Sequence, residues 1–139
     1  MAQVSGNYQA WLAQNSLYLA HDPVWRFVAY PKSLWLFDLV WQDCEIMKQT
    51  AQSRAFINQI IRSTDSISAN IDEGFGRGIE RKEYTQFLRI ALGSARETRS
   101  RYYKLRPVFS QATLNHRMKL CNEIIAILTT TIHKRNGRN

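Results

Sequence analysis

The sequence predicts an all-α protein, an antiparallel up-down four-helix bundle with an extra N-terminal helical segment. Four long segments carry apolar residues at intervals of three and four, which places them on one face of a helix. The connections between them are short, as between antiparallel neighbours. The 139 residues include only six glycines and three prolines, too few for an all-β fold with many tight turns. This length indicates one domain, divided into an N-terminal extension (1–32), the bundle (33–133) and a basic tail (134–139).

The N-terminal extension is aromatic and weakly patterned. It predicts one short helix, roughly residues 8–20, and then an irregular connection broken by Pro23 and Pro31. Ser33 is the expected N-cap of the first bundle helix, which extends to about Gln52. Its expected apolar positions are Leu34, Phe37, Val40, Trp41, Cys44 and Met47.

The second bundle helix is predicted from Ser53 to about Glu73, with Gly74 ending it, as glycine commonly does at the C′ position. Its many isoleucines would suit a strand, but their spacing is helical rather than alternating. The residues expected on its buried face are Phe56, Ile57, Ile60, Thr64, Ile67 and Ile71.

The third bundle helix is predicted over residues 80–105 and is stopped by Pro107, and the fourth begins near Ser110. The expected core residues of the third are Tyr84, Phe87, Leu88, Ala91, Ala95, Thr98, Tyr102 and Leu105. Those of the fourth are Leu114, Met118, Cys121, Ile125, Leu128 and Ile132.

The glycine-rich stretch GFGRG, residues 74–78, superficially resembles a phosphate-binding loop. Such loops follow a strand and open a helix, whereas this stretch follows a helix and lacks the lysine and hydroxyl residue of a P-loop. The acidic neighbours Asp72 and Glu73 point about 100° apart on a helix, so they cannot flank one substrate bond. The histidines lack metal-binding spacing, and no nucleophile motif is present. We therefore expect no enzyme activity, no metal and no cofactor.

Small polar and acidic residues share one edge of the second helix, beside the isoleucine face. We call the following set the polar seam: Ser63, Ser66, Asn70, Glu73, Arg77, Ser94 and Glu97. A partly buried Glu73 would need an arginine or backbone donors, for which Arg77 and Arg89 are the candidates. Two interpretations remain open, a satisfied polar contact between helices and a direct contact with a ligand.

The net charge of +8 is unevenly spread, because residues 54–139 hold sixteen basic and seven acidic residues, a net of +9, whereas residues 1–53 have a net charge of −1. Five cations of the third helix fall in a sector about 120° wide that contains no acid, at about 100° per residue. Tyr103 lies in the same sector and could stack on a base. We call this set the basic stripe: Lys82, Arg89, Arg96, Arg99, Tyr103 and Arg106. It could follow phosphates, or its arginines could cover apolar surface and pair with acids of a neighbouring subunit.

The segment STDSISANIDEGFGRGIERKEYTQFLRIALGSARET, residues 63–98, resembles a four-helix-bundle family first found as reading frames inside ribosomal-RNA intervening sequences. Its signature positions here are Ser66, Asn70, Glu73, Gly74, Arg77, Glu83, Tyr84, Phe87, Leu88, Ala91, Gly93, Ser94 and Glu97. The segment FDLVWQDCEIMKQ resembles the first helix of that family, and the whole resemblance covers roughly residues 34–130.

That family is similar in fold to the accessory variability determinant of diversity-generating retroelements, a basic homopentamer that works with a reverse transcriptase and nucleic acid. The resemblance implies a non-catalytic bundle that self-assembles, with a pentamer favoured, and that assists a reverse transcriptase or another RNA-handling enzyme. Ile90 and Leu92 lie outside the core stripe of the third helix, which also favours self-assembly. The alternative is a protein-protein interaction scaffold with no nucleic-acid role.

The expected location is the cytoplasm, without membrane contact. Cys44 and Cys121 are too few for a disulfide framework, which favours a reduced compartment. No run of about 18 apolar residues is present. The N-terminus lacks the basic and then apolar pattern of a signal peptide.

Overall fold

The computed structural model describes residues 3–137, and all regular structure in that range is helical. The elements are α1 (Tyr8–Asn15), a 3-10 turn (Pro23–Arg26), α2 (Ala29–Met47), α3 (Ala51–Arg54), α4 (Ile57–Arg77), α5 (Glu83–Lys104) and α6 (Gln111–Asn136). The predicted all-α class is confirmed. Of the predicted basic tail, residues 134–136 continue α6, and Arg138 and Asn139 lie outside the described residues.

The four long helices enclose one apolar core. Helix α2 packs against α4 and α6, and α5 packs against the same two helices, so each long helix has two long neighbours. Large aliphatic side chains from all four are completely buried, among them Leu36, Ile67, Leu88 and Leu128. No helix within residues 3–137 combines the length and the apolar character that a membrane crossing requires.

The N-terminal segment lies on the outer side of α2 and is held there by indole groups. The Trp11 Nε1–H donates to Asp38 Oδ2 at 2.9 Å, and the Trp35 Nε1–H donates to the Ser5 carbonyl at 2.8 Å. The Tyr8 ring lies 5.3 Å from that of Trp35, centroid to centroid. Helix α1 ends at Asn15, short of the predicted residue 20.

Helix α2 begins five residues earlier than predicted, with Val28 and not Ser33 at its N-cap. Ser33 is buried in the second turn, where its hydroxyl donates to the Tyr30 carbonyl at 2.7 Å. Pro31 is tolerated because the first N–H groups of a helix have no intrahelical acceptor. Trp41, expected in the core, is 55% exposed.

The second bundle helix, in contrast to α2, starts later than predicted. Ser53 lies inside the short helix α3, whose N-cap is Thr50, and α4 begins only at Ile57. The Ser53 hydroxyl donates to the Met47 carbonyl at 2.7 Å, which ties α3 to the end of α2. The predicted cap Ser110 is found, because its side chain accepts from the Thr113 N–H at 3.1 Å.

Gly74 does not end α4, which continues to Arg77. The residue that ends it is Gly78, at a φ of 114°, where residues with a Cβ are strained. Gly74 has another function, close packing: a Cβ built on it would lie 2.9 Å from Tyr84 Cδ2 and 3.3 Å from Phe87 Cβ. Glycine at this position therefore lets α4 approach the start of α5.

We expect Gly74→Ala to be less stable than Gly76→Ala by about 1–3 kcal/mol, the usual cost of overpacking. Both changes bring the same gain in helix propensity, but Gly76 has no neighbouring atom within 4 Å of an added Cβ. Tyr84 is only 5% exposed and has little room to move. Denaturant unfolding of the two variants measures the difference, and equal free energies would contradict the packing role of Gly74.

Candidate nucleic-acid interface

The basic stripe lies on the outer side of α5. Lys82 precedes the helix, Arg89 and Arg96 follow at seven-residue intervals, and all three are exposed. At 1.5 Å per residue these cations are about 10 Å apart along the axis. No cation of the stripe forms an ion pair within residues 3–137. Their charges are therefore available to a partner.

The end of the stripe is the part that other side chains hold in place. The Arg99 Nη1–H donates to Asn122 Oδ1 on α6 at 2.9 Å. The guanidinium carbon of Arg106 lies 3.5 Å from the centroid of the Tyr103 ring, a cation–π contact. Tyr103 and Arg106 are both exposed. The stripe therefore combines free cations with an exposed aromatic ring.

Four members of the predicted polar seam meet between α4 and α5. The Ser94 hydroxyl donates to Ser66 Oγ at 2.8 Å, and the hydroxyls of Ser63 and Thr98 are 2.8 Å apart. The Asn70 amide donates to both the carbonyl and the Oγ of Ser66, at 2.8 and 3.0 Å. Small hydroxyl side chains thus satisfy one another where the two helices are in close contact.

The other three seam residues lie outside this contact. Glu73, expected to be partly buried, is exposed and pairs with Arg77 at 2.8 Å, whereas Arg89 is not its partner. Glu97 is exposed and lies 3.6 Å from Arg101. Exposed ion pairs of this kind contribute about 1 kcal/mol or less.

A buried charge network that the sequence analysis missed connects three helices. Asp43 of α2 accepts from Arg117 of α6 through both carboxylate oxygens, from Nε at 2.8 Å and from Nη2 at 3.0 Å. The Tyr102 hydroxyl of α5 donates to the same carboxylate at 2.7 Å. His116 Nδ1 lies 2.8 Å from Arg117 Nη1. Asp43, Arg117 and Tyr102 are 2%, 7% and 0% exposed, so each charge has its partner inside the core.

The raised pKa values of Arg117 and Tyr102 favour the protonated forms that donate the hydrogen bonds of this network. Burial would lower the pKa of Arg117, but the hydrogen bond and charge of Asp43 outweigh it and the pKa is raised. Burial and then the charge of Asp43 raise the pKa of Tyr102 well above its ordinary value. Arg117 therefore remains charged and Tyr102 remains a donor across the range in which proteins are studied. The sequence signal that could have indicated this network is a single charge on each of two apolar helix faces, Asp43 on α2 and Arg117 on α6.

Groups suited to metal or thiol chemistry are few among residues 3–137. No cluster of three or more His, Cys, Asp or Glu side chains could hold a metal ion in this range. The two cysteines are free and buried, and burial raises the pKa of Cys121 to about 12. A thiol in that environment is a poor nucleophile.

One protein-family model matches most of the chain. The model of the 23S rRNA-intervening sequence protein matches residues 27–130. The match covers all of α2 to α5 and most of α6, and it includes the basic stripe and the buried charge network but not α1. No curated protein and no solved structure matches the chain. The match shows that the chain belongs to the 23S rRNA-intervening sequence protein family.

Proposed function

We propose that this is a non-catalytic accessory protein that binds nucleic acid through phosphate contacts. The observation that carries the proposal is the row of exposed cations at the N-cap and along α5, namely Lys82, Arg89 and Arg96, none of which forms an ion pair within residues 3–137. Arginine and lysine at regular intervals suit a regular series of phosphates, and they position a partner without reading its sequence. The family name, which refers to ribosomal RNA, supports a nucleic-acid partner.

The contacts between helices support the finer fold prediction, an antiparallel up-down bundle. Between α4 and α5, Ser63 contacts Thr98 and Ser66 contacts Ser94. The residue number therefore increases along α4 as it decreases along α5, which is the order expected for antiparallel helices. The same reversed order holds between α5 and α6 in the pairs Thr85–Arg135 and Arg99–Asn122. In such a bundle the exposed side of α5 presents its cations in a row to a linear partner.

Self-assembly is the second part of the proposal. Trp41, Ile79 and Ile90 are 55%, 46% and 43% exposed, and a neighbouring protomer that covered them would gain the free energy of burying apolar surface. Leu92, by contrast, packs against the core. In a closed ring, with a pentamer favoured, each protomer would present one basic stripe, and weak contacts would combine into useful avidity. A reverse transcriptase or another RNA-handling enzyme in the cytoplasm is the partner class we propose.

The same exposed apolar residues favour the alternative function, a protein-protein interaction scaffold. In that case the stripe would bind an acidic protein surface rather than phosphates. The two functions differ in what remains bound after nuclease treatment. A scaffold would retain its protein partner, whereas a nucleic-acid accessory would lose a partner that is held through RNA or DNA.

A salt series tests the proposed function directly. We expect the purified protein to bind labelled RNA and DNA with an affinity that falls linearly in a log–log plot against salt. The slope should be about −0.7 per phosphate for a single strand. The number of cations in the stripe sets an upper limit on the number of phosphates that one protomer contacts. The mass in solution, recorded alongside, gives the number of stripes. A well-folded protein with no binding at low salt would contradict the proposal.

A further inference from the structure

We propose that the end of the basic stripe selects single-stranded over double-stranded nucleic acid, through a stacking platform formed by Tyr103 and Arg106. This inference rests on the proposed function and adds the class of nucleic acid to it. The Arg106 guanidinium carbon lies 3.5 Å from the Tyr103 ring centroid, which is a stacking distance. Although one side of the ring is covered in this way, Tyr103 is still 55% exposed.

The platform has a charge on each side. Arg99 lies one helical turn before Tyr103 on the same face of α5, and Asn122 holds its guanidinium through a hydrogen bond of 2.9 Å. Arg106 follows the end of α5 at Lys104, and its guanidinium covers one face of the ring. A base stacked on the free part of the ring, or on the outer face of Arg106, would place its neighbouring phosphates near these two arginines.

An unpaired base is the group that suits this arrangement. In a duplex both faces of each internal base are covered by its neighbours, so a duplex can offer the stripe only its phosphates. A single strand offers phosphates and free base faces together. Stacking accepts any base because every base has a π face. The platform therefore distinguishes strandedness and not sequence.

Tyr103→Ala tests the platform, with Tyr103→Phe as the matched control that keeps the ring. The probes are an unstructured RNA, its DNA equivalent and a blunt-ended RNA duplex with the same number of phosphates. We expect the alanine variant to bind the single strands about tenfold more weakly and the duplex with unchanged affinity. The phenylalanine variant should retain the preference of the wild type. The salt slope should stay the same, because no phosphate contact is removed.

The outcomes separate this inference from the function on which it rests. A wild-type protein that binds the blunt-ended duplex as tightly as the single strand would overturn the inference and leave nucleic-acid binding intact. Equal weakening of both probes by Tyr103→Ala would do the same. Absence of binding to every probe at low salt would overturn both. Thermal melting of the variants confirms that they are folded, as expected for a side chain on the surface.

Discussion

Replacing Asp43 with alanine should lower the free energy of unfolding by about 3–5 kcal/mol, the usual cost of breaking a buried ion pair. The change leaves the Arg117 guanidinium, 7% exposed, without its bidentate partner. It also removes the acceptor of the Tyr102 hydroxyl, which is completely buried. Two polar groups on two different helices would then be buried without compensation, and the loss should appear in denaturant unfolding.

Glu45→Ala is the matched control, because Glu45 is also an acid of α2 but is exposed, and it pairs with the exposed Lys48 at 2.8 Å. Its loss should change stability by about 1 kcal/mol or less. A combined Asp43→Leu, Arg117→Met and Tyr102→Phe variant should recover much of the lost stability, since apolar residues of similar volume can replace a buried ion pair and no buried hydroxyl then lacks its acceptor. Equal effects of Asp43→Ala and Glu45→Ala would show that the network adds little to stability.

The fold class could be predicted because helical spacing is a local property. The predicted core positions Ile60, Thr64, Ile67 and Ile71 of α4 repeat at intervals of three or four residues, and all four are buried as expected. The helix ends were harder, because capping depends on the backbone that precedes a helix. Ser110 is an N-cap, but Ser33 is not, since the chain is already helical from Ala29.

The tertiary contacts could be predicted only where both partners carry a pattern. The serines Ser63 and Ser66 stand out on the edge of an apolar face, and their close contact with α5 follows from their small size. Asp43 and Arg117, in contrast, are 74 residues apart. Each is a single charge within an apolar stripe, and nothing along the chain says that the two charges meet. Only the packing of α2 against α6 brings them together.

The basic stripe could be predicted as a surface because a run of cations in one helical sector must face water unless it is paired. Its pairing state could not be predicted, since an arginine reaches partners on neighbouring helices. Arg99 contacts Asn122 of α6, whereas Arg101, outside the stripe, lies 3.6 Å from Glu97. The exposure of Trp41 likewise depends on how α2 is rotated in the bundle, which its own sequence leaves open.

Reversing two charges of the stripe, in Arg89→Glu with Arg96→Glu, should weaken nucleic-acid binding by about 100-fold or more, because two charge-assisted contacts become repulsive. The salt slope on single-stranded RNA should also become shallower by about 0.7 for each phosphate contact that is removed. Both side chains are exposed and neither forms an ion pair within residues 3–137, so the bundle should fold normally. Titration of labelled RNA at several salt concentrations measures both quantities.

The matched control is Arg26→Glu with Arg62→Glu, which removes the same net charge from two exposed positions outside α5. If binding depended only on the overall charge of +8, the two double variants would lose affinity equally, because long-range attraction depends little on which cation is changed. If phosphates contact the stripe, the α5 variant alone should lose the steep salt dependence. Unchanged affinity in the α5 variant would assign the stripe to protein contacts, and the interaction scaffold would then be the better account of this surface.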